Sequence, residues 1–390
     1  MALELSKVID QINEMGQELA AKARRENKVL PAARELLHHF ALRQEELRQI
    51  AASEEGQRVR CASPGDEPLD AARPAPTLPE HLTLVAADGS QIYPDRHGIA
   101  FYYVINVGTI VFRYGSGQAP EVATNPRLFY TDEQVFPGGE PVSGDLVSAE
   151  RNLVEIQILT DLALSASSSD SPCIGLVDGP LLIWFRGTNV PQEQRAQILK
   201  EYLSCLSRLQ ARKIPIAGFV SRPFSAEVVT LLALAQLVLK EPPEVHRLSD
   251  VEYRGLTDRV LFGFLQPGER SALFVRGTGA NQDFQVHGHT IYFFYLNTGT
   301  DLARVEVPVW AACHAEWLAL VHTAIYQQCR INNGYPYVLT RADEQAVILS
   351  EEREVLEGMI GRAMASHGMP LPELSRKAQQ KQKARWRKRR

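Results

Sequence analysis

The sequence predicts an α/β fold: a mixed sheet flanked by helices, with an N-terminal helical pair and a β-rich insertion. Three observations carry this. Between residues 82 and 114, Val, Ile, Phe and Tyr gather in short runs broken by Gly, as in strands joined by hairpins. From 145 to 240, apolar stripes of helical period alternate with short apolar runs, which is β/α alternation. Of the 390 residues, 45% are hydrophobic and 23% charged, a globular composition that supplies a sizeable core and excludes a disordered scaffold.

The elements follow in order. Residues 3–26 and 31–50 read as two helices. Leu5, Val8, Ile12, Met15 and Leu19 recur at steps of three and four, and Pro31 suits a second helix start. Such helices must pack on the rest of the chain or on a second copy of it. Residues 52–80 hold Pro64, Pro68, Pro74, Pro76 and Pro79 and read as a linker or surface loop. Residues 82–87 form a strand ending at Asp88-Gly89-Ser90. Residues 99–106 and 109–114 read as a hairpin with Gly108 between, and a loop rich in Gly and Pro follows. Helix 145–165 carries Leu146, Leu153, Ile156, Leu159 and Leu162. Then come strand 173–177, ending at Asp178-Gly179-Pro180, helix 191–211, strand 214–220 and helix 224–240. The β-rich insertion spans about 272–308, and helices near 311–331 and 340–365 close the body. The expected domains are 1–51, the helical segment; 52–80, the linker; 81–365, the main domain; and 366–390, a basic tail.

Several classes are excluded. No run approaches the ~18 apolar residues of a membrane span. The first residues carry acids and no apolar leader core. Cys61, Cys173, Cys205, Cys313 and Cys329 are odd in number and never spaced C-x-x-C, which argues against disulfides and structural zinc. A cytoplasmic protein without membrane association is expected. No G-x-x-x-x-G-K-[ST] loop or G-x-S-x-G elbow occurs, so neither ATP hydrolysis nor serine hydrolase chemistry is expected. The net charge of −4 hides an asymmetry: residues 376–390 carry nine Lys/Arg and no acid, on a body of opposite sign. The tail either contacts phosphate backbone, with Trp386 stacking on a base, or is a solvated terminus.

Candidate chemistry lies in the two Asp-Gly motifs. A carboxylate just past a buried strand lies at the sheet edge where α/β proteins bind ligands. If the two strands are parallel neighbours, Asp88 and Asp178 approach each other and repel unless a divalent cation bridges them. Hard oxygen donors suit Mg²⁺ or Mn²⁺. Helix 145–165 offers a third carboxylate, and spacing alone leaves Glu155, Glu150 and Asp161 open. Arg151 and Glu155 equally fit a surface i, i+4 pair. Tyr335 and Tyr337 could stack on bases or fill the core; Arg222 and Arg270 could meet phosphates or pair with acids. His287 and His289 lack an accompanying ligand cluster and read as loop residues.

The order of elements and the placing of the acids resemble the ribonuclease H-like fold, and more specifically the NurA nucleases. The matching pieces are Ala87-Asp88-Gly89-Ser90, Arg151-x-x-x-Glu155, Val177-Asp178-Gly179-Pro180-Leu181 and Gly334-Tyr335-Pro336-Tyr337-x-Leu339, with Phe219-Val220-Ser221-Arg222-Pro223 and Gly268-Glu269-Arg270-Ser271 beside them. The resemblance covers about 80–365. It implies a metal-dependent 5′-to-3′ exonuclease and single-strand endonuclease on DNA, working by two-metal hydrolysis. Asp88, Glu155, Asp178 and Asp343 would be the catalytic and metal residues. It also implies a homodimer, a HerA-type hexameric translocase ATPase as partner, and a role in end resection at double-strand breaks. One departure stands out: the family pattern commonly has Ala-His where this chain has Ala342-Asp343. An aspartate still ligates Mn²⁺ or Mg²⁺, but it makes the site four carboxylates. An impaired site would leave a non-catalytic DNA-clamping adaptor as the alternative function.

Overall fold

The computed structural model describes residues 4–168, 171–183, 185, 190–239, 253, 255–277 and 279–369. The basic tail, with Trp386, lies outside them. In chain order the principal elements are α1 (Ile9–His39), α2 (Gln44–Ala52), β1 (Leu82–Ile92), β2 (Tyr103–Tyr114), β3 (Glu121–Phe129), α3 (Gly144–Ala166), β4 (Cys173–Asp178), α4 (Gln192–Ala211), β5 (Ile216–Ser221), α5 (Glu227–Leu239), β6 (Ile291–Asn297), β7 (Leu302–Pro308), α6 (Ala315–Ile331), α7 (Tyr337–Ala346) and α8 (Ser350–Ser366). The chain forms two compact units, Met1–Leu78 with Gly218–Pro336 and Pro79–Ala217 with Tyr337–Arg390. Residues 81–365, expected as one domain, contribute to both.

In the N-terminal unit, β6 and β7 form an antiparallel hairpin, and β7 pairs antiparallel with β5 through Ala303↔Ser221 and Glu306↔Gly218. The expected insertion is therefore part of a sheet, and it also contains the helix Gly279–Val286. Leu36, Leu37 and Phe40 of the helical segment join Leu231, Phe262 and Phe293 in one core. Pro31 does not start a second helix: α1 runs through it. The buried face at Ala33, Leu36 and Leu37 holds the helix against the roughly 3 kcal/mol that an internal proline costs. Residues 52–80 are not a free linker. Ser63–Pro64 pairs with Phe274 and Val275, Arg73–Pro74 pairs with Glu269 and Arg270, and Leu69 is fully buried. Two-residue pairings tolerate proline because they demand few backbone donors.

His322 on α6 is 1% exposed, with Nε2 2.9 Å from the Gly268 carbonyl oxygen. Burial, with Arg270 adding repulsion, pushes its pKa down to about 4. The folded protein therefore keeps it neutral while the unfolded chain protonates it below about pH 6.5. Its stabilisation is complete above that pH and is lost as pH falls toward 4, about 2–3 kcal/mol by pH 4.5. Urea unfolding at pH 7 and 4.5 should show His322→Gln losing less stability on acidification than the wild type, by that amount. Equal losses would remove His322 as the cause.

In the second unit the strand order is β4-β1-β2-β3. β4 is parallel to β1, from Thr83↔Cys173 to Ala87↔Val177, and the β1/β2 and β2/β3 pairs are antiparallel. Three strands precede α3, as expected, but they are cut differently. β1 does not stop at Ala87, because β2 stays paired with it as far as Ile92↔Val104. Gly108 is no turn; it sits inside β2 where α7 lies on the sheet, and a Cβ there would meet Ala342, Gln345 and Ala346. The third strand is β3, largely exposed, in a segment read from sequence as loop. Gly89, on the other face of β1, packs under Glu155 and Arg151 of α3. Thus α3 and α7 cover opposite faces.

Candidate metal centre

The site is built in the second unit where β4 runs out beside β1. Asp178 is the last residue of β4. The parallel register ends at Ala87↔Val177, so Asp88 is the position beside it on β1. Gly179 follows with φ +93°, a left-handed turn that glycine makes without strain and that ends the strand at the carboxylate. Asp343 comes from α7, which is clamped over the sheet: Asn106 Nδ2 donates to the Ala346 carbonyl at 2.9 Å, and Ser90 Oγ donates to the same oxygen. Glu155 comes from the middle of α3, a helix capped by Ser143 Oγ accepting from Leu146 N at 3.2 Å.

The four carboxylates influence one another. Burial, then the Asp178 charge, raise the Asp88 pKa to about 6. The Asp343 charge adds to this, as does a hydrogen bond between the two side chains. Burial raises Glu155 to about 8; Arg151 opposes this, while Asp88 and Asp178 add to it. Arg151 Nε lies 3.1 Å from Glu155 Oε1, yet both atoms are buried without a hydrogen-bond partner. Asp88 and Glu155 are partly buried and Asp178 and Asp343 exposed; like-charged carboxylates at a cleft, one of them with an orphaned buried oxygen, are what a cation relieves.

Among the described residues no group of three or more His, Cys, Asp and Glu side chains is gathered to hold a metal ion as it stands. The fit to a divalent cation is one of charge and donor type. All four groups offer hard oxygens, which suit Mn²⁺ or Mg²⁺. A polar cleft of about 750 Å³ opens beside Asp88, Asp178 and Glu155, lined also by Tyr93, Ser148, Arg151, Asn152 and Tyr202.

Of the three helix acids left open by spacing, only Glu155 faces the two aspartates. Glu150 is raised by burial and by Glu201, and Asp161 pairs with Arg208 at 2.7 Å. The other expected contacts are not gathered here. Arg270 is 8% exposed in the N-terminal unit, where both terminal nitrogens donate to Glu67 at 2.7 and 2.9 Å; it is a buried ion pair and not a phosphate contact. Arg222, in the same unit, is exposed and pairs with Asp301 at 2.9 Å. Tyr335 stands edge-on to Phe219, and Tyr337 edge-on to Phe112. Tyr93, Ser148 and Asn152 were missed from sequence. Ser148 and Asn152 share the α3 repeat with Glu155 at steps of three and four, which is the signal that could have found them.

A mixed sheet covered by helices on both faces, with acids from two parallel strands and both helices, defines an α/β protein with a carboxylate site. The chain belongs to the NurA domain family, whose model matches residues 82–348. It is similar in fold to the crystal structure of the NurA nuclease from Sulfolobus solfataricus, at 12% identity, covering 93% of this chain and 98% of that one with a TM-score of 0.51. A crystal structure of NurA with manganese matches at 12% identity, 81% and 95% coverage and a TM-score of 0.41. No curated protein sequence matches.

Proposed function

We propose that this protein is a divalent-metal-dependent deoxyribonuclease. It hydrolyses phosphodiester bonds as a 5′-to-3′ exonuclease and single-strand endonuclease. In this reading it acts in the cytoplasm as a homodimer, with a HerA-type hexameric translocase, in end resection at double-strand breaks. What supports the reading is that Asp88, Asp178 and Glu155 line one polar cleft, with the charge of Asp343 reaching Asp88, in a chain of the NurA family. Asp88 and Asp178 would be shared ligands of a pair of Mn²⁺ or Mg²⁺ ions, and Glu155 and Asp343 would complete the set. When bound, the metal supplies an activated water and neutralises charge on the phosphoryl and leaving oxygens.

The chain's own residues do the rest. Gly89, next to Asp88 on β1, lets Glu155 pack close to the strand, since a Cβ there would meet the Glu155 and Arg151 side chains. Arg151 lies beside Glu155, donates to Gln91 Oε1 at 3.1 Å and to Asn152 Oδ1 at 3.0 Å, and lines the same cleft, where a phosphate would meet its charge. The nine basic residues of 376–390 would add sequence-independent attraction to the DNA backbone.

The test is cleavage of end-labelled linear DNA by the purified protein with Mn²⁺, Mg²⁺ or EDTA, alone and with the cognate ring ATPase. Metal-dependent cutting is the expected result, with the label's position giving the polarity. No cutting with either metal, with the ATPase present, would replace the nuclease by the DNA-clamping adaptor. It would also make Asp343→His the first variant to try.

A further inference from the structure

The N-terminal arm carries an apolar seam that no other described residue of its unit covers. No residue of α1 before Ala33 is buried, and residues 9–20 are all exposed. Leu5 is 61% exposed, Ile12 52%, Met15 56% and Leu19 58%. With Val8 these side chains fall at steps of 3, 4, 3 and 4. That is the 3.5-residue period of a helix that packs along another helix. A helix designed only for solvent has no use for such a stripe.

We propose that residues 5–28 form an antiparallel helix pair with the same segment of a second copy of this chain. This rests on the homodimer reading and assigns its surface. Charge selects the occupant and its direction. Residues 4–18 carry Glu4, Lys7, Asp10, Glu14 and Glu18, a net −3; residues 22–28 carry Lys22, Arg24, Arg25, Glu26 and Lys28, a net +3. An antiparallel pair lays each acidic half along the other's basic half, whereas a parallel pair sets like beside like. The same gradient also suits the dipole of one isolated helix, but the dipole explains none of the apolar seam. A two-fold pair closes on itself and covers both seams at once. Near its centre Gly16 leaves the helix backbone bare, with open space where a Cβ would point. The chain's own basic tail is no substitute occupant, because Trp386 is the one large apolar residue in 376–390.

Light scattering behind size exclusion tests the surface on the full-length protein. The wild type should show twice the 43.5 kDa chain mass, and Ile12→Glu/Leu19→Glu should fall to that mass with unchanged circular dichroism. A wild-type monomer would overturn both the homodimer reading and this surface; a variant that stays dimeric would overturn the surface alone. Neither result bears on the nuclease assay. Spin labels then test the direction, in a Cys313→Ser background because Cys313 is the exposed cysteine. Labels at Glu14→Cys should lie close across the pair. Labels at Lys28→Cys should lie more than about 30 Å apart, by helix rise alone. Short distances at both positions would mean a parallel pair and would overturn the antiparallel assignment.

Discussion

Asp88→Asn and Asp178→Asn are each expected to lower metal-dependent DNA cleavage by on the order of 10²–10³-fold, while making the metal-free protein no less stable. The two effects have one origin. Asp88 is pressed by burial and by the charges of Asp178 and Asp343. A group whose folded pKa is raised stabilises the fold below its unfolded pKa, and that contribution is lost as pH rises through the folded value. For Asp88 the window runs from about 4 to about 6, so at pH 8 in EDTA its ionised form is a burden on the fold. Asparagine keeps the shape and removes the charge. Thermal melts at pH 8 in EDTA should therefore show Asp88→Asn at or above the wild-type Tm. Mn²⁺ should raise the wild-type Tm and leave the variant's nearly unmoved. A variant that cuts DNA at the wild-type rate would dissolve the site assignment. One that is inactive but already unfolded in EDTA would say nothing for catalysis, and for that reason the melt and the cleavage assay belong together.

The sequence made some of this legible and hid the rest for physical reasons. The stripe Leu146, Leu153, Ile156, Leu159 and Leu162 predicted α3, and all but the half-buried Leu162 are buried, because a helix under a sheet must present one apolar face. The sequence placed Asp88 and Asp178 together only on the condition that their strands are parallel neighbours, and the register from Thr83↔Cys173 to Ala87↔Val177 makes them so. What stayed hidden was decided by partners distant in the chain. Asp88-Gly89-Ser90 has turn chemistry, yet β2 keeps that stretch extended. Arg270 looks like any free arginine until Glu67, two hundred residues earlier, takes both its terminal nitrogens. Glu150, Glu155 and Asp161 are equivalent by spacing. The facing elements separate them: Glu201 near Glu150, Arg208 on Asp161, and the two strand aspartates before Glu155. The exposed β3 was missed since Pro126 and polar residues on both faces blur its alternation.

Gly108→Ala is expected to impair cleavage beyond what its cost in stability explains. Gly108 lies directly opposite Asp88 in the β1/β2 register. Its φ is that of an ordinary strand, so backbone freedom is not why glycine is there; space is. An added methyl would sit 2.7 Å from the Gln345 carbonyl carbon and closer still to Ala342 O and Ala346 N, all backbone atoms of α7. None of these is a flexible side-chain tip, so α7 itself must lift. Asp343, one residue beyond Ala342, lifts with it, and the clamp from Asn106 and Ser90 to Ala346 stretches. Overpacking of this kind costs about 1–3 kcal/mol. The useful control is Ile110→Ala on the same strand, where a 1% exposed side chain is cut back at a cost of about 2–5 kcal/mol. That change opens a void without pushing on α7. Assayed well below both melting temperatures, Ile110→Ala should keep most of its cleavage. Gly108→Ala should lose at least about tenfold, the rate equivalent of 1.4 kcal/mol in the barrier. Equal activity in the two variants would mean that the seating of α7 on β2 serves stability alone, and Asp343 would then lose its place beside Asp88 in the chemistry.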